Sequence, residues 1–390
     1  MIARRVGTLL ALLACAGALV YVERAAERPL ASQPFPDSAE YASSARSLAL
    51  GDGFYTNVHA GSREPPRYPL GYPLVLVPFA SVGTYPRDVQ RGAKFWVLFY
   101  VLATLIAAWA LGGALAAAIA AGVLAASPFA SDAAGLVMSD AFVAGLTVLM
   151  LPLLRFMNRS GTRLAGAATG LAMLARITAV VNLVGLLVAL PRRSYRSILS
   201  FALPSLIGLA LLQWLMFGSP LTTGYDYWGV SGDSFSLAHL TQGYSLERDG
   251  PWIIPDRLDG ALLDWTCPCQ TGGPQASLPN LTFYPLVLAG IFWVFSPPLL
   301  PLLGLWCAWR RRRDPIGRYA LTVTVLTLFV YGFYFYQGTR FMAGPATILA
   351  VLGCVWLSEA LERLGRRVRS SPALVRLAAV HPRAPSPESE

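Results

Sequence analysis

"KFWVLFYVLATLIAAWALGGALAAAIAAGVLAAS", residues 94–127, is apolar almost throughout, and Lys94 is its only charged residue. A helix needs roughly 20 apolar residues to cross a lipid bilayer, so this stretch alone predicts two membrane helices. The whole chain shares this character, since 55% of its 390 residues are apolar and 13% are charged, with a mean hydropathy of +0.51. Because about a quarter of the residues in a soluble domain are charged, the composition predicts a polytopic membrane protein.

Ten apolar runs along the chain predict membrane helices. They lie near residues 6–22, 94–111, 113–128, 138–154, 163–176, 178–190, 198–217, 282–309, 319–336 and 342–358. The two short runs within 163–190 also fit one broken or re-entrant element. The predicted fold class is an all-α membrane protein with about ten transmembrane helices and two long structured loops, 23–93 and 218–281.

The distribution of arginine orients the chain in the membrane. Short cytoplasmic loops are enriched in Lys and Arg, and most of the 31 basic residues lie in short loops or near the termini. These regions are Arg4 and Arg5, "RFMNRSGTR" (155–163), "RRSYR" (192–196), "RRRRDPIGR" (310–318) and the tail after 358. Both termini are thus predicted to be cytoplasmic at the inner (plasma) membrane, and both long loops extracytoplasmic.

Residues 1–358 are predicted to form the membrane domain. They precede a basic cytoplasmic tail, 359–390, whose Pro- and Ser-rich end is predicted to be disordered. The N-terminal "MIARRVGTLLALLACAGA" also fits a cleaved signal peptide, but its apolar run continues to Val22, which favours a retained helix. Cys267 and Cys269 share a polar loop, and their oxidation state stays open.

The first long loop contains a patterned segment, "PDSAEYASSARSLALGDGFYTN" (36–57). On a helix, Asp37, Glu40 and Tyr41 fall at positions i, i+3 and i+4 and share one face, and the glycines of "GDG" end that helix. One interpretation of Asp37 is a helix N-cap. The functional interpretation is a carboxylate held at the membrane boundary as a general base.

This segment, followed by "PPRYPLGYP" (65–73), resembles the first periplasmic loop of the GT-C superfamily of glycosyltransferases. The branch it resembles contains protein O-mannosyltransferases and the aminoarabinose transferases that act on lipid A. Ile177 stands where that family has a proline, and Phe341 where it has a tyrosine. Three later stretches are also similar to the family: "GLVMSDAFVAGLTVL" (135–149), "GLAMLARITAVV" (170–181) and "YQGTRFMAGPATILAVL" (336–352).

The resemblance implies a function for the acidic residues. Enzymes of this kind move a sugar from a polyprenyl-phosphate carrier to an extracytoplasmic acceptor, which is a glycan, a lipid or a protein. Because phosphate is a competent leaving group, the chemistry needs one base for the acceptor and cations for the phosphate. The resemblance thus implies an inverting enzyme with Asp37 as the base, Glu40 beside it and Asp140 as a second acid. Capping of a helix is the alternative role for Asp140.

Further candidates are arginines, which bind phosphate through two hydrogen bonds, and polar residues near the acids. They are Arg340, Arg67 and Arg176 for the donor phosphate, and Tyr41, Tyr68 and Asp132 for substrate contacts. Snorkelling to lipid headgroups is the alternative for Arg340. No metal site and no obligatory cofactor is predicted, although a divalent cation shared by the carboxylates is possible. The expected partners are the polyprenyl-phosphate sugar donor, the acceptor and membrane lipids, and no nucleic acid.

Two other functions fit a membrane protein of this kind. A transporter or flippase for a lipid-linked or small polar substrate predicts inverted repeats and broken helices that meet at the membrane midplane. The sequence shows no matching halves, and its acids cluster near the predicted outer face. A non-catalytic protein with a GT-C-like fold is the third interpretation, which the departures at Ile177 and Phe341 keep open.

Overall fold

The computed structural model describes residues 2–25, 37–58, 63–81, 85–227, 279–334 and 338–369. Predictions for most of the second long loop, for Cys267 and Cys269 and for the end of the tail lie outside the described residues. Within these ranges the regular structure is helical, apart from isolated bridge residues such as the antiparallel pair Thr56 and Glu64. The all-α prediction is therefore confirmed for the described residues.

The N-terminal part contains helices α1 (Ile2–Glu23), α2 (Asp37–Ala49) and α3 (Gly71–Ala80). The helix predicted in the first long loop is confirmed as α2. It ends before Gly51, whose φ of +77° favours glycine. The proline-rich residues 65–70 are not helical, and α3 begins directly after them at Gly71.

A long helical segment, α4 (Arg87–Ala126), folds back on itself at Gly113. This glycine has φ 72° and ψ −165°, which is outside the helical region. The Tyr100 and Phe129 rings, on opposite sides of the break, lie 5.5 Å apart, whereas a straight helix would separate these positions by roughly 40 Å. The two arms of α4 correspond to the two apolar runs predicted for this stretch.

The middle of the chain forms six helices and two short 3-10 turns. They are α5 (Pro128–Ala134), α6 (Ser139–Arg155), α7 (Arg159–Ala175), the turn Ile177–Ala179, α8 (Val180–Ala189), the turn Arg192–Ser194, α9 (Tyr195–Phe217) and α10 (Gly224–Tyr227). Arg176 separates α7 from the turn and has extended backbone angles, φ −157° and ψ 116°. Residues 163–190 therefore form a helical element that is broken at Arg176, which is one of the two alternatives predicted for the short apolar runs.

The C-terminal part forms α11 (Asn280–Leu288), α12 (Leu300–Arg310), α13 (Pro315–Gly332), the 3-10 turn Thr339–Met342 and α14 (Ala343–Arg369). The prediction of one helix over 282–309 is wrong, because the chain leaves the helix between α11 and α12. Two non-glycine residues there, Trp293 and Leu299, have positive φ angles of 48° and 68°. Helix α14 also continues past 358, where the membrane domain was predicted to end.

Three helical segments of the described residues are long and apolar enough to cross a membrane, namely 87–126, 192–217 and 339–367. Shorter apolar helices lie at 7–23, 71–80 and 177–189. The total of about ten crossings stays a prediction. Helix α4 packs against α1, α6 and α14 to form the centre of the fold. Helices α12 and α14 touch through their backbones, since a Cβ on Gly304 would overlap the Leu349 carbonyl.

Candidate active site

Asp37, the first residue of α2, is held by residues from two distant parts of the chain. Its Oδ2 lies 2.8 Å from a terminal nitrogen of Arg340, which belongs to the 3-10 turn before α14. Its Oδ1 accepts a short hydrogen bond from the hydroxyl of Tyr68. The side chains of Asp37 and Arg340 are 14% and 26% exposed, so the pair is largely shielded from solvent.

A second acid–arginine pair lies at the start of α6. Asp140 Oδ1 is 2.7 Å from a terminal nitrogen of Arg176, and the Asp140 side chain is only 3% exposed. Its other oxygen, Oδ2, has no hydrogen-bond partner among the described residues. The N-cap of α6 is Met138, and no side chain caps this helix end. Asp140 therefore accepts its hydrogen bond from Arg176 and does not cap the helix.

The Phe341 ring lies between the two ion pairs. The guanidinium carbons of Arg176 and Arg340 are 5.4 Å and 5.5 Å from its centroid, within the range of a cation–π contact. The Tyr331 ring stacks on it at 4.6 Å with an angle of 3° between the planes. Phe341 thus places an aromatic face where both arginines converge.

A cavity of about 40 Å³ joins these groups. Asp140, Arg176 and Arg340 line it, together with Tyr331 and Phe341. Asp37 is not among the lining residues and meets the cavity through Arg340. The structure therefore brings both predicted acids to one hollow, one of them directly and the other through its arginine partner.

Glu40 and Arg67 form a third acid–arginine pair beside the first. Glu40 is 1% exposed, and its Oε2 accepts a 2.9 Å hydrogen bond from the backbone N–H of Arg67. The Arg67 Nε lies 3.7 Å from Glu40 Oε1. These contacts attach the proline-rich segment to α2.

Tyrosines fill the space between α2, α3 and α10. The Tyr41 ring is 4.8 Å from Tyr68 and 5.0 Å from Tyr72, and the Tyr41 hydroxyl hydrogen-bonds Ser139 at 3.0 Å. Tyr68 also contacts Tyr225 edge to face at 5.7 Å. Because Ser139 precedes Asp140, the Tyr41 bond ties the first acid-bearing helix to the second.

Burial raises the pKa of the Tyr68 hydroxyl well above its usual value, and the neighbouring Asp37 carboxylate raises it further. Burial likewise raises the pKa of Tyr41. Both phenols therefore keep their protons near neutral pH. Tyr68 then acts as a fixed hydrogen-bond donor to Asp37 and not as a proton acceptor.

Asp132 does not join this group. It is an exposed residue of the short helix α5 and does not line the cavity, so its proposed substrate contact stays a prediction. No group of three or more His, Cys, Asp or Glu residues that could hold a metal ion occurs in the part of the chain that the structure describes.

Two residues of the site were not predicted from the sequence. Tyr331 stacks on Phe341, and its hydroxyl hydrogen-bonds Thr178 at 2.8 Å. The buried Asn280 side chain donates to the carbonyls of Gly332 at 3.1 Å and Tyr334 at 2.7 Å, which holds the end of α13 ahead of the arginine turn. An asparagine at the start of an apolar run was the only available signal for the latter.

No family model and no curated protein matches the sequence. Solved structures do match the fold. ArnT from Cupriavidus metallidurans bound to undecaprenyl phosphate has a TM-score of 0.55 and 16% identity over 90% of this chain and 59% of that one. The archaeal oligosaccharyltransferase AglB from Archaeoglobus fulgidus, in complex with an inhibitory peptide and a dolichol-phosphate, has a TM-score of 0.55 and 13% identity.

The AglB comparison covers 96% of this chain and 52% of that one, so this chain spans little more than half the length of the structures it matches. An Archaeoglobus fulgidus oligosaccharyltransferase in complex with Zn and sulfate has a TM-score of 0.50 and 14% identity over 94% of this chain and 51% of that one. The chain therefore shares its fold with these two proteins, ArnT and AglB, in agreement with the resemblance to GT-C glycosyltransferases noted in the sequence.

Proposed function

We propose that this protein is an inverting glycosyltransferase that moves a sugar from a polyprenyl-phosphate donor to an extracytoplasmic acceptor. The observation that carries the proposal is the pairing of Asp37 with Arg340 and of Asp140 with Arg176 around one cavity. The fold supports it, because two proteins with this fold have been solved with undecaprenyl phosphate or dolichol-phosphate bound. The sugar and the acceptor are not specified by these residues.

The arginines of the pairs are the proposed phosphate ligands. A guanidinium binds phosphate oxygens in a bidentate manner, and both Arg176 and Arg340 line the cavity. In the described structure each arginine is occupied by a carboxylate. A donor phosphate that approaches Arg340 therefore competes with Asp37 for the same N–H groups.

The displaced Asp37 carboxylate is the proposed general base. It accepts the proton of the acceptor hydroxyl or amine as the acceptor attacks the anomeric carbon of the sugar. The bond from that carbon to the phosphate oxygen breaks in the same step, and its electron pair leaves with the polyprenyl phosphate. A single displacement inverts the configuration at the anomeric carbon. The proton on Tyr68 keeps the carboxylate aimed while this occurs.

Asp140 and Arg176 form the proposed second half of the phosphate site. The Asp140 side chain is nearly inaccessible, so its charge keeps Arg176 fixed in a site of low polarity. Fixed charges of this kind stabilise developing charge without a cost for reorganisation. Arg67 is bound to Glu40, and its proposed role is to hold the protein surface around Tyr68 and not to bind the phosphate directly.

The direct test is a turnover assay of the purified protein with a panel of polyprenyl-phosphate sugars. We expect transfer or slow hydrolysis of at least one donor, and Asp37→Asn should lower the rate by about 10²- to 10⁴-fold. The matched control is Asp52→Asn in the same loop, where Asp52 forms a loose, exposed pair with Arg63 at 3.8 Å. Unchanged turnover in Asp37→Asn would remove it as the base. Movement of donor across vesicles without sugar transfer would instead support a transporter.

We also propose that the site faces the extracytoplasmic side of the inner membrane. Reporter fusions at residues 195 and 314 should then show a cytoplasmic location, and fusions at 60 and 250 the opposite side, because arginine-rich short loops stay in the cytoplasm. The reverse pattern would place the chemistry on the cytoplasmic face and contradict the proposal.

A further inference from the structure

A second and larger cavity, of about 960 Å³, lies at the far end of the helices that carry the candidate site. Helices α6 and α7 have their site residues, Asp140 and Arg176, at one end, whereas this cavity is lined from residues 157–163, 190–201 and Pro315. Helix α7 has 17 residues, so the two cavities are separated by about 25 Å. The cavity is therefore not part of the candidate active site.

Four arginines line this basic cavity: Arg159, Arg163, Arg193 and Arg196. All four are exposed, and no acidic residue is among its lining residues. Nor does any of the four form an ion pair within the ranges that the structure describes, in contrast to Arg176 and Arg340. Among the described residues, the cavity thus gathers four arginines that have no carboxylate partner.

The remaining lining residues suit the headgroup of a phospholipid. The first turns of α7 and α9 open onto the cavity, and helix N-termini favour phosphate groups. Ser194 and Ser197 supply hydroxyl groups at the start of α9, while Met157 and Phe201 add apolar surface. A small soluble anion would leave the apolar part of this lining uncovered, whereas the acyl chains of a lipid would cover it.

An apolar stripe leads away from the cavity along α9. Phe201 is 44% exposed, and Leu203, Ile207 and Leu211 are 40%, 57% and 52% exposed. The last three are four residues apart and therefore share one face of the helix. Acyl chains of a lipid whose headgroup sits in the cavity can lie along this face.

We propose that the basic cavity binds the phosphate of an anionic membrane phospholipid, with its acyl chains on the exposed face of α9. Basic pockets between transmembrane helices are suited to such headgroups, and each nearby arginine strengthens the attraction. The site is separate from sugar transfer, and its test does not depend on turnover.

The test measures lipid binding by the full-length protein in nanodiscs of neutral phosphatidylcholine. Cardiolipin, phosphatidylglycerol and inorganic phosphate are titrated in separate arms, and bound lipid is counted by native mass spectrometry. We compare the wild type with Arg193→Gln/Arg196→Gln. The matched control, Arg312→Gln/Arg313→Gln, changes the net charge equally by removing two exposed adjacent arginines that do not line the cavity, although Pro315 of the same loop does.

We expect the cavity variant to lose about 10- to 30-fold in affinity for the anionic lipids, and the control to keep wild-type affinity. All three proteins should have the same melting temperature in neutral lipid, which shows that the variant folds. An equal loss in the control would overturn the proposal in favour of a general surface-charge effect. Binding of inorganic phosphate that blocks cardiolipin would overturn it in favour of a soluble anion.

Discussion

Replacing Asp37 with asparagine should tighten the binding of undecaprenyl phosphate while it lowers the rate of sugar transfer by about 10²- to 10⁴-fold. The reason is the competition for Arg340, whose terminal nitrogen lies 2.8 Å from Asp37. A phosphate that binds Arg340 must displace this carboxylate or share the guanidinium with it. Asparagine keeps the shape of the side chain but removes the competing charge.

The magnitude follows from the burial of the pair. Two charges about 4 Å apart attract by about 4 kcal/mol at an effective dielectric of about 20. Because the Asp37 and Arg340 side chains are 14% and 26% exposed, partial hydration and desolvation reduce the net value to about 1–2 kcal/mol. Removing the competitor should therefore tighten phosphate binding by about 5- to 30-fold.

A double-mutant cycle isolates this effect. Arg340→Gln should weaken binding by about 10- to 100-fold, since it removes charge-assisted hydrogen bonds worth about 1.5–3 kcal/mol. In that background Asp37→Asn has no competition left to relieve, so the gain in affinity should disappear. Such non-additivity is the signature of a direct interaction between the two side chains.

The assay is equilibrium binding of undecaprenyl phosphate to purified protein in one fixed detergent at constant ionic strength. Asp52→Asn and Arg63→Gln form the control cycle, because that exposed pair is 3.8 Å apart and should contribute little. Weaker binding by Asp37→Asn would refute the competition model. So would a gain in affinity that persists when Arg340 is already glutamine.

Two further predictions concern stability. Gly304→Ala should lower the melting temperature and the yield, because its Cβ would overlap a backbone carbonyl of the neighbouring helix and such overpacking costs about 1–3 kcal/mol. The control is Gly208→Ala, because the space around a Cβ at Gly208 is open. Equal melting temperatures of the two variants would contradict the close contact between α12 and α14. Asp140→Asn should destabilise the protein by about 3–5 kcal/mol by leaving the largely buried Arg176 without its counter-ion. Denaturation curves should then show partial recovery on adding Arg176→Gln, and no recovery would argue against the pair.

Local patterns were sufficient to predict the part of the site that α2 supplies. The spacing of Asp37, Glu40 and Tyr41 and the glycines at 51 and 53 are all contained within one short segment, and the structure confirms the helix and its end. Helical periodicity depends on neighbours three and four residues away, so it is visible without any knowledge of the fold.

The partners of those residues could not be predicted in this way. Asp37 and Arg340 are 303 positions apart, and Asp140 and Arg176 are 36 positions apart, at the start of α6 and the end of α7. The sequence indicated which charged residues stand in apolar surroundings, and the family resemblance indicated which of them are candidates for catalysis. It contained no information on which acid meets which arginine, because that depends on how α4, α6 and α14 pack.

The wrong prediction of a single helix over residues 282–309 has a related cause. An apolar run is equally compatible with one long helix and with two short helices joined by an apolar loop, because both remove the same side chains from water. The break is stabilised by contacts with remote residues. The Trp293 indole donates to the Ala126 carbonyl at 3.1 Å, and the Ser127 hydroxyl donates to the Val294 carbonyl at 2.7 Å.

The proposed mechanism also explains why a base would be placed in contact with an arginine, which by itself makes a carboxylate a poorer proton acceptor. During transfer Asp37 gains a proton and loses its charge, while the leaving phosphate gains negative charge. Arg340 touches Asp37 and lines the cavity, so its charge becomes available to the phosphate as that charge develops. The interaction is then stronger in the transition state than in the ground state, which is the condition for it to accelerate the reaction. A lysine or arginine that met only the phosphate would bind substrate and transition state more equally.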